Sequence, residues 1–372
     1  VLDRIPSTPT GKLDRDALPV PEFTSDATAF RAPAGPVESA IAGAFAAVLG
    51  VERIGADDSF FDHGGNSLLA TRVVTELRER LGRDVSLPML FLDPTPAGMA
   101  GRIGETGAVA VEDALRVVIP LRGTGTDRPL FCVHPGIGLS WGYTGLVRYL
   151  PAERPVFGLQ LPAITGGPSY GSVEELACRY VDEIRAIAPH GPYDLLGWSL
   201  GGVLAHAMAV ELQRRGESVA TLAVMDSYPD DGSDPLFGRL ELADLLRGLG
   251  LDVGATGQHV DLTYDSAARI LGEFLGSGGI TAAHLERIND GYANSRLLVH
   301  RFVPGVFDGD LLVFPAQRGQ DGGTDRSAQE WRPLVTGGID ECPVDCGHND
   351  MIEPSSLAVI GPALAARLGR RT

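Results

Sequence analysis

The chain has 372 residues, which predicts two or three domains, and a formal net charge of −17, which excludes a nucleic-acid partner. We expect neither a signal peptide nor a transmembrane segment, because no apolar run is long enough to span a bilayer. The four cysteines are scattered along the chain, which indicates reduced thiols in a cytoplasmic protein and not a disulfide framework. Because the first residue is valine, we expect the chain to be a piece of a longer protein.

The first 23 residues are rich in proline and charge and lack apolar periodicity, so they form no core of their own. Their segment PSTPTGKLDRDAL, residues 6–18, resembles the last signature segment of adenylation domains in nonribosomal peptide synthetases. In that family the lysine, here Lys12, contacts the activated acyl group. Since the rest of an adenylation domain does not follow or precede it here, we expect residues 1–23 to be an inactive tail. Residues 24–36 are predicted to be a linker.

Residues 37–105 have the apolar spacing of a small all-α bundle of three to four helices. The expected helices lie at 37–49, 68–81, 88–92 and 96–103. Gly50 and Gly82 end the first two, and Thr95 is the predicted N-cap of the last.

Ser67 lies where a loop becomes the second of these helices. The unpaired N–H groups and the positive dipole end of a helix N-terminus suit a phosphate ester, and Gly64 and Gly65 let an enzyme approach the backbone. From these residues alone, a plain helix cap is the favoured interpretation of Ser67 and a modified serine is the alternative. The segment DSFFDHGGNSL, residues 58–68, resembles the signature of peptidyl carrier proteins. That resemblance implies that a phosphopantetheinyl transferase attaches 4′-phosphopantetheine to Ser67.

After a second predicted linker at 106–117, strand-like and helical runs alternate from 118 to 372, which predicts an α/β fold with a mostly parallel sheet. Strands are expected at 117–121, 130–133, 156–159, 193–197, 220–225, 311–314 and 338–344. Helices are expected at 141–150, 173–188, 200–215 and 357–368. The stretch 227–300 interrupts this alternation with helical pieces such as 240–249 and 267–275. We expect a helical lid there that shapes the acyl pocket, with a structural excursion as the alternative.

The segment Gly197-Trp198-Ser199-Leu200-Gly201 has the G-x-S-x-G pattern between a predicted strand and a predicted helix. This is the context of a nucleophile elbow, in which glycines remove clashes between strand and helix and the serine stands at the tip of a tight turn. We therefore expect Ser199 to be a catalytic nucleophile, and a glycine-rich turn with an inert serine is the alternative.

A serine nucleophile needs a base and a carboxylate that orients the base. His348, between the last predicted strand and the last helix, is the expected base. Asp226 directly follows the strand after the elbow helix and keeps the chain order serine, aspartate, histidine, so it is the expected acid. Asp321 and Asp325 are the alternatives that a later strand would favour. Asp345, Asp308 and Asp310 are further carboxylates in the same part of the chain.

The oxyanion of the reaction needs two backbone donors. We expect one to be the N–H of Leu200 and the other the N–H of Gly136 or Ile137, in the loop after an early strand. His134 in the same loop is interpreted as a residue that shapes the loop. No metal site is predicted, because Cys342, Cys346 and His348 lack zinc-ligand spacing and a fourth ligand.

The segments 134–136, 197–202, 224–229 and 347–348 resemble those of type I thioesterases with the α/β-hydrolase fold. The order adenylation tail, carrier and thioesterase resembles the C-terminal end of a nonribosomal peptide synthetase termination module. This resemblance implies release of a peptidyl thioester, by hydrolysis or macrocyclisation, in antibiotic or siderophore biosynthesis. It also implies upstream condensation and adenylation domains, and a type II thioesterase, as partners. A carrier and interaction module without catalysis, or a general serine esterase, are the alternatives.

Overall fold

The structure is a computed structural model that describes residues 30–65, 67–83, 85, 87–103, 113–229, 238–249, 251, 262–275, 280–318 and 327–369. The predicted adenylation-type tail with Lys12, much of both predicted linkers, and the alternative acids Asp321 and Asp325 lie outside the described residues. Within these ranges, no helix combines the length and the apolar character needed to cross a membrane.

The first domain is the predicted bundle of four helices: α1 (Gly35–Leu49), α2 (Ser67–Leu81), α3 (Leu87–Leu92) and α4 (Pro96–Arg102). Helix α1 ends at Gly50, whose φ of +69° is left-handed, and Thr95 caps α4 by accepting from the Gly98 N–H at 3.1 Å. The end of α1 and the start of α4 therefore lie where the sequence predicts them. Glycine tolerates the positive φ at a helix end, and the threonine hydroxyl accepts from a backbone N–H at a helix start.

Aromatic side chains fill much of this small core. Phe45, Phe60 and Phe61 are fully buried, and the ring of Phe91 stacks on that of Phe61 at 5.6 Å. Burial of each such ring contributes about 1.5–3 kcal/mol. Gly65 lies directly against Phe60, where a Cβ atom would overlap the ring. The aromatic cluster therefore fixes the loop that precedes α2.

The second domain is built on a seven-stranded sheet. Its strands are β1 (Val118–Arg122), β2 (Leu130–Val133), β3 (Val156–Leu159), β4 (Tyr193–Trp198), β5 (Val219–Met225), β6 (Leu311–Phe314) and β7 (Ile339–Glu341). Their order is β1-β3-β2-β4-β5-β6-β7, with β1 antiparallel to β3 and all other pairs parallel. Strand β7 is shorter than predicted, because Pro343 has no N–H to donate and Val344 pairs only as an isolated bridge.

Helices cover both faces of this sheet. One face of the sheet, which includes Leu195, packs against α5 (Val173–Ile187) and α6 (Leu200–Arg214). The other face, which includes Leu196, packs against the 3₁₀ segment Trp141–Tyr149 and α10 (Pro354–Leu368). Neighbouring strand residues point to opposite faces, as the period of two requires. The segment at 141–150 was predicted as a helix and is 3₁₀, with Gly142 and Gly145 close against the α10 side.

In the described part of the chain between β5 and β6 there are three further helices: α7 (Leu242–Gly248), α8 (Tyr264–Leu275) and α9 (Ala282–Arg301). Asn289 joins them, because its amide bonds both to the backbone of Leu240 and to the Tyr264 hydroxyl at 3.0 Å. Helix α9 is longer than any piece predicted from the sequence. It begins at an N-cap, Thr281, that accepts from the His284 N–H. The α/β-hydrolase fold with a helical insertion is thus present.

Candidate active site

The turn between β4 and α6 holds Ser199 in a strained conformation, with φ 56° and ψ −129°. The flanking glycines explain how this turn closes. A Cβ atom on Gly197 would overlap the backbone of Gly201, and one on Gly201 would overlap the carbonyls of Val133 and His134. Positive φ at a residue other than glycine is costly and concentrates at functional sites. The elbow predicted from the sequence is therefore formed, with Ser199 at its tip.

The structure brings Ser199, His348 and Asp226 together, as the sequence predicted. The His348 Nε2 atom lies 3.0 Å from Ser199 Oγ, and its Nδ1 atom lies 2.7 Å from Asp226 Oδ2. These distances let an N–H at Nδ1 donate to the carboxylate while Nε2 accepts the serine proton. The ring of Trp198 lies 5.9 Å from the imidazole ring, centroid to centroid. The arrangement supports deprotonation of Ser199.

Asp226 is held by more than the histidine. Its Oδ1 atom accepts from the Tyr228 hydroxyl and from the Ala316 N–H, both at 3.1 Å, and its φ is 39°. Burial by itself raises the pKa of Asp226, but the hydrogen bonds from His348, Ala316 and Tyr228 outweigh it and lower the pKa below its ordinary 3.8. The lowered pKa keeps the carboxylate ionised beside the His348 ring at neutral pH. Sequence reasoning assigned no role to Tyr228 or Ala316.

The other candidate acids in the described part of the chain have different partners. Asp345 pairs with Arg318 at 2.8 Å, and Asp310 pairs with Arg367 at 3.1 Å. Asp308 accepts from the Thr336 hydroxyl. Each of these contacts is on an exposed side chain, and none of them involves His348.

The loop after β2 starts against the elbow, because the carbonyls of Val133 and His134 pack on Gly201. His134 is fully buried, with Nδ1 2.7 Å from the Pro135 carbonyl and Nε2 2.6 Å from the Tyr180 hydroxyl. Burial lowers the pKa of His134 to about 4, against the effect of its bond to Pro135. A neutral ring with both nitrogens engaged in the fold suits a residue that shapes the loop.

Two lid helices contact the predicted oxyanion residues. A Cβ atom on Gly136 would lie 2.9 Å from the Tyr292 ring of α9, and a Cβ atom on Gly248 of α7 would lie 3.0 Å from Ile137. Leu200, which carries the other predicted donor, is the first residue of α6, where a backbone N–H has no partner within the helix. Only the three-dimensional fold reveals Tyr292 and Gly248, since no local motif marks either residue.

Ser67 is the first residue of the fifteen-residue helix α2, as predicted. Gly64, three residues earlier, has φ +100°, and the guanidinium of Arg148 from the second domain lies beside it. The positive dipole end of a helix and a nearby guanidinium are chemically suited to a phosphodiester. These surroundings fit the 4′-phosphopantetheine that the sequence predicts at Ser67.

Family models match the chain at two places. The thioesterase domain model matches residues 128–363, and the phosphopantetheine attachment site model matches residues 39–103. The second match confirms the predicted cofactor.

Synthetases of nonribosomal peptides align with nearly the whole chain. It is 40% identical over 373 residues to malpibaldin synthetase of Mortierella alpina, covering 99% of this chain and 6% of that protein. It is 37% identical over 380 residues to the dimodular nonribosomal peptide synthase of Bacillus subtilis (strain 168), covering 99% and 15%. Enterobactin synthase component F of Escherichia coli (strain K12) is 33% identical over 376 residues, with 99% and 27% covered. The chain thus spans about a quarter or less of these relatives.

Solved structures share the fold. A four-domain nonribosomal peptide synthetase bound to AMP and glycine has a TM-score of 0.62 at 24% identity, covering 100% of this chain and 29% of that one. The Vlm2 thioesterase domain has a TM-score of 0.51 at 21% identity, covering 67% and 96%. The predicted resemblances to a carrier protein and to a thioesterase are confirmed by these comparisons. The chain belongs to the thioesterase domain family, with a phosphopantetheine attachment domain preceding the thioesterase domain.

Proposed function

We propose that this thioesterase domain releases a finished peptide from the carrier domain of the same chain, and that Ser199, His348 and Asp226 are its catalytic residues. The observation that carries the proposal is the hydrogen-bonded relay from Asp226 through His348 to Ser199 at a strained elbow. The presence of a phosphopantetheine attachment domain on the same chain supports a thioester substrate.

The phosphopantetheine on Ser67 supplies the peptidyl group as a thioester. Ser199 Oγ attacks the acyl carbonyl carbon while His348 Nε2 takes the hydroxyl proton, and Asp226 holds the imidazole in the tautomer that permits this. The N–H groups of Leu200 and of Gly136 or Ile137 stabilise the oxyanion. His348 then gives its proton to the departing sulfur, which leaves an ester on Ser199.

His348 next removes a proton from the second nucleophile, which attacks the ester and frees Ser199. Water as this nucleophile gives a linear acid, and an amine or hydroxyl of the peptide itself gives a macrocycle. Helices α7, α8 and α9 lie between β5 and β6 along the chain. In the proposed reaction, these helices decide whether water or a group of the peptide reaches the ester on Ser199.

The proposed function requires upstream condensation and adenylation domains on the same synthetase. A phosphopantetheinyl transferase and a type II thioesterase are the proposed separate partners. The synthetase relatives support the upstream domains, because each is several times longer than the matched region. Four free cysteines, two of them buried, support a cytoplasmic location.

Intact-protein mass spectrometry tests the proposal. A phosphopantetheinyl transferase with an acyl- or peptidyl-coenzyme A should load the wild-type chain, and an acyl adduct on Ser199 should follow. We expect Ser67→Ala to lose the loading mass while a fluorophosphonate still labels Ser199. Ser199→Ala should keep the loading mass and lose the fluorophosphonate adduct. Loading without any dependence on Ser67, or equal labelling of Ser199→Ala, would contradict the proposal.

A further inference from the structure

The two domains touch through an aromatic contact. Phe91 of α3 stacks on Trp141 of the second domain, with ring centroids 5.5 Å apart and planes 25° apart. Phe91 is otherwise part of the carrier core, and the Trp141 N–H donates to the Ala114 carbonyl at 3.1 Å. A stacked pair contributes about 0.5–1.5 kcal/mol beyond the apolar area that it buries. This contact places one end of the carrier on the 3₁₀ segment 141–149.

A charged contact lies at the loop that precedes α2. The Nη1 atom of Arg122, whose side chain is 9% exposed, donates to Asp62 Oδ1 at 3.4 Å. Its other N–H groups donate to the backbone carbonyls of Val147, Leu150, Pro151 and Arg154. Among the described residues, Asp62 therefore supplies the carboxylate to which the Arg122 guanidinium donates a hydrogen bond, and the other acceptors are backbone carbonyls. Burial lowers the pKa of Arg122 and raises the pKa of Asp62, so desolvation outweighs their mutual attraction.

A second guanidinium lies closer still to the modification site. A Cβ atom on Gly64 would be 3.0 Å from Nη1 and 3.5 Å from Cζ of Arg148. Gly64 and Ser67 are three peptide units apart along the chain, so their Cα atoms are at most about 11 Å apart. Arg148 carries its charge on a long, half-buried side chain, also in contact with the Tyr149 ring. Its guanidinium therefore lies against the carrier loop that leads into the helix beginning at Ser67.

We propose that the thioesterase domain recognises the modified form of its carrier, with Arg148 binding the phosphodiester that joins phosphopantetheine to Ser67. The inference rests on the proposed attachment at Ser67. The phosphodiester adds a negative charge beside a loop whose Asp62 already bonds to Arg122, and Arg148 is the second cation of the thioesterase domain at this loop. A guanidinium matches two oxygens of such a group at once. The modified carrier accordingly docks more tightly than the unmodified one, and Arg148 accounts for the difference.

Trp141 offers a native reporter of docking. The chain has three tryptophans, Trp141, Trp198 and Trp331, and the indole N–H of Trp331 is bonded to the Ser227 carbonyl inside the thioesterase domain. In ¹⁵N-labelled full-length chain carrying Ser199→Ala, the Trp141 indole signal should follow the stacking of Phe91, with Trp331 as the internal reference. Relaxation of α1 amides reports independently whether the carrier tumbles with the thioesterase domain.

Unmodified and modified chains should be compared in the Asp62→Asn background, which weakens docking so that both states are populated. We expect modification to raise the docking equilibrium about three- to tenfold at low salt, the size of one charge-assisted contact, and much less at 1 M salt. Arg148→Gln should abolish the difference between the two forms, and should therefore weaken docking of the modified form more than that of the unmodified form. Arg179→Gln, which removes an exposed arginine on α5, is the matched control and should change neither form.

Equal docking of the two forms, with modification confirmed by mass, would overturn the inference. So would an Arg148→Gln chain that docks less tightly by the same factor in both forms, because that result assigns Arg148 a purely structural role. Arg148→Lys, which keeps the charge and loses the paired donors, should retain part of the difference. A chain that takes up no phosphopantetheine would instead contradict the proposed attachment at Ser67, which the mass spectrum shows separately.

Discussion

Gly136→Ala tests the contact between the lid and the predicted oxyanion loop. The added Cβ atom would lie 2.9 Å from Cε2 and 3.1 Å from Cδ2 of Tyr292. Ordinary contact begins near 3.4 Å, so the ring or the loop must move by 3.4 − 2.9 = 0.5 Å. Overpacking of this kind costs about 1–3 kcal/mol, and a loop that shifts takes its N–H donor with it. Loss of one oxyanion donor lowers the rate by about 10²–10³, so we expect a partial loss of roughly 10–10².

The assay is kcat/KM with a peptidyl pantetheine thioester, together with the rate of fluorophosphonate labelling and the free energy of unfolding in urea. Gly136→Ala combined with Tyr292→Ala should recover most of the lost rate, because the atom that the new methyl meets is gone. Gly136→Ala combined with Tyr292→Phe should recover nothing, since the ring carbons remain. Gly238→Ala is the control, because no atom lies within 4 Å of its added methyl. Full activity in Gly136→Ala, or a double variant no better than the single one, would refute the reasoning.

Further predictions concern the relay and its surroundings. Asp226→Asn should lower kcat by about 10⁴ with KM little changed, measured with the same thioester, because the imidazole loses the partner that fixes its tautomer. The folded state lowers the pKa of Asp226 below its ordinary 3.8, so the ionised carboxylate stabilises the fold above pH 3.8. This stabilisation is lost as the pH falls through the lower pKa of the folded state. The free energy of unfolding in urea should therefore depend less on pH below pH 4 in Asp226→Asn than in the wild type. Burial lowers the pKa of His134 from 6.5 to about 4, so the unfolded chain takes up a proton at a higher pH than the folded chain does. The free energy of unfolding should therefore decrease by up to about 3 kcal/mol between pH 6.5 and pH 4. His134→Gln should make this decrease smaller.

The parts of the site that the sequence predicts are those encoded locally. Ser199 stands in a turn that only glycine neighbours permit, and Asp226 ends the strand that follows the elbow helix. Since the ends of parallel strands meet at one edge of the sheet, their order along the chain was enough to place them together. His348 follows the last strand in the same way, and the three side chains meet as the sequence analysis predicted.

The parts that the sequence does not predict depend on contacts between distant segments. Helix α9 carries polar residues on several sides, so its periodicity is weak, and nothing local indicates that Tyr292 reaches Gly136. The 3₁₀ segment 141–149 likewise packs at Gly142 against Ile352 and at Gly145 against Leu357 of α10, and neither contact is marked by a local sequence pattern. Arg148 and Gly64 lie in different domains, which no periodicity within either domain relates.

The contacts of α7 and α9 with the loop after β2 have a consequence for catalytic turnover. Helix α9 lies against Gly136 through Tyr292, and helix α7 lies against Ile137 through Gly248, so both helices contact the loop that we propose to carry an oxyanion donor. In the proposed reaction, a movement of α7 and α9 that admits a long peptide would therefore also disturb the loop that holds this donor. Substrate entry and oxyanion stabilisation would thereby depend on the same two helices.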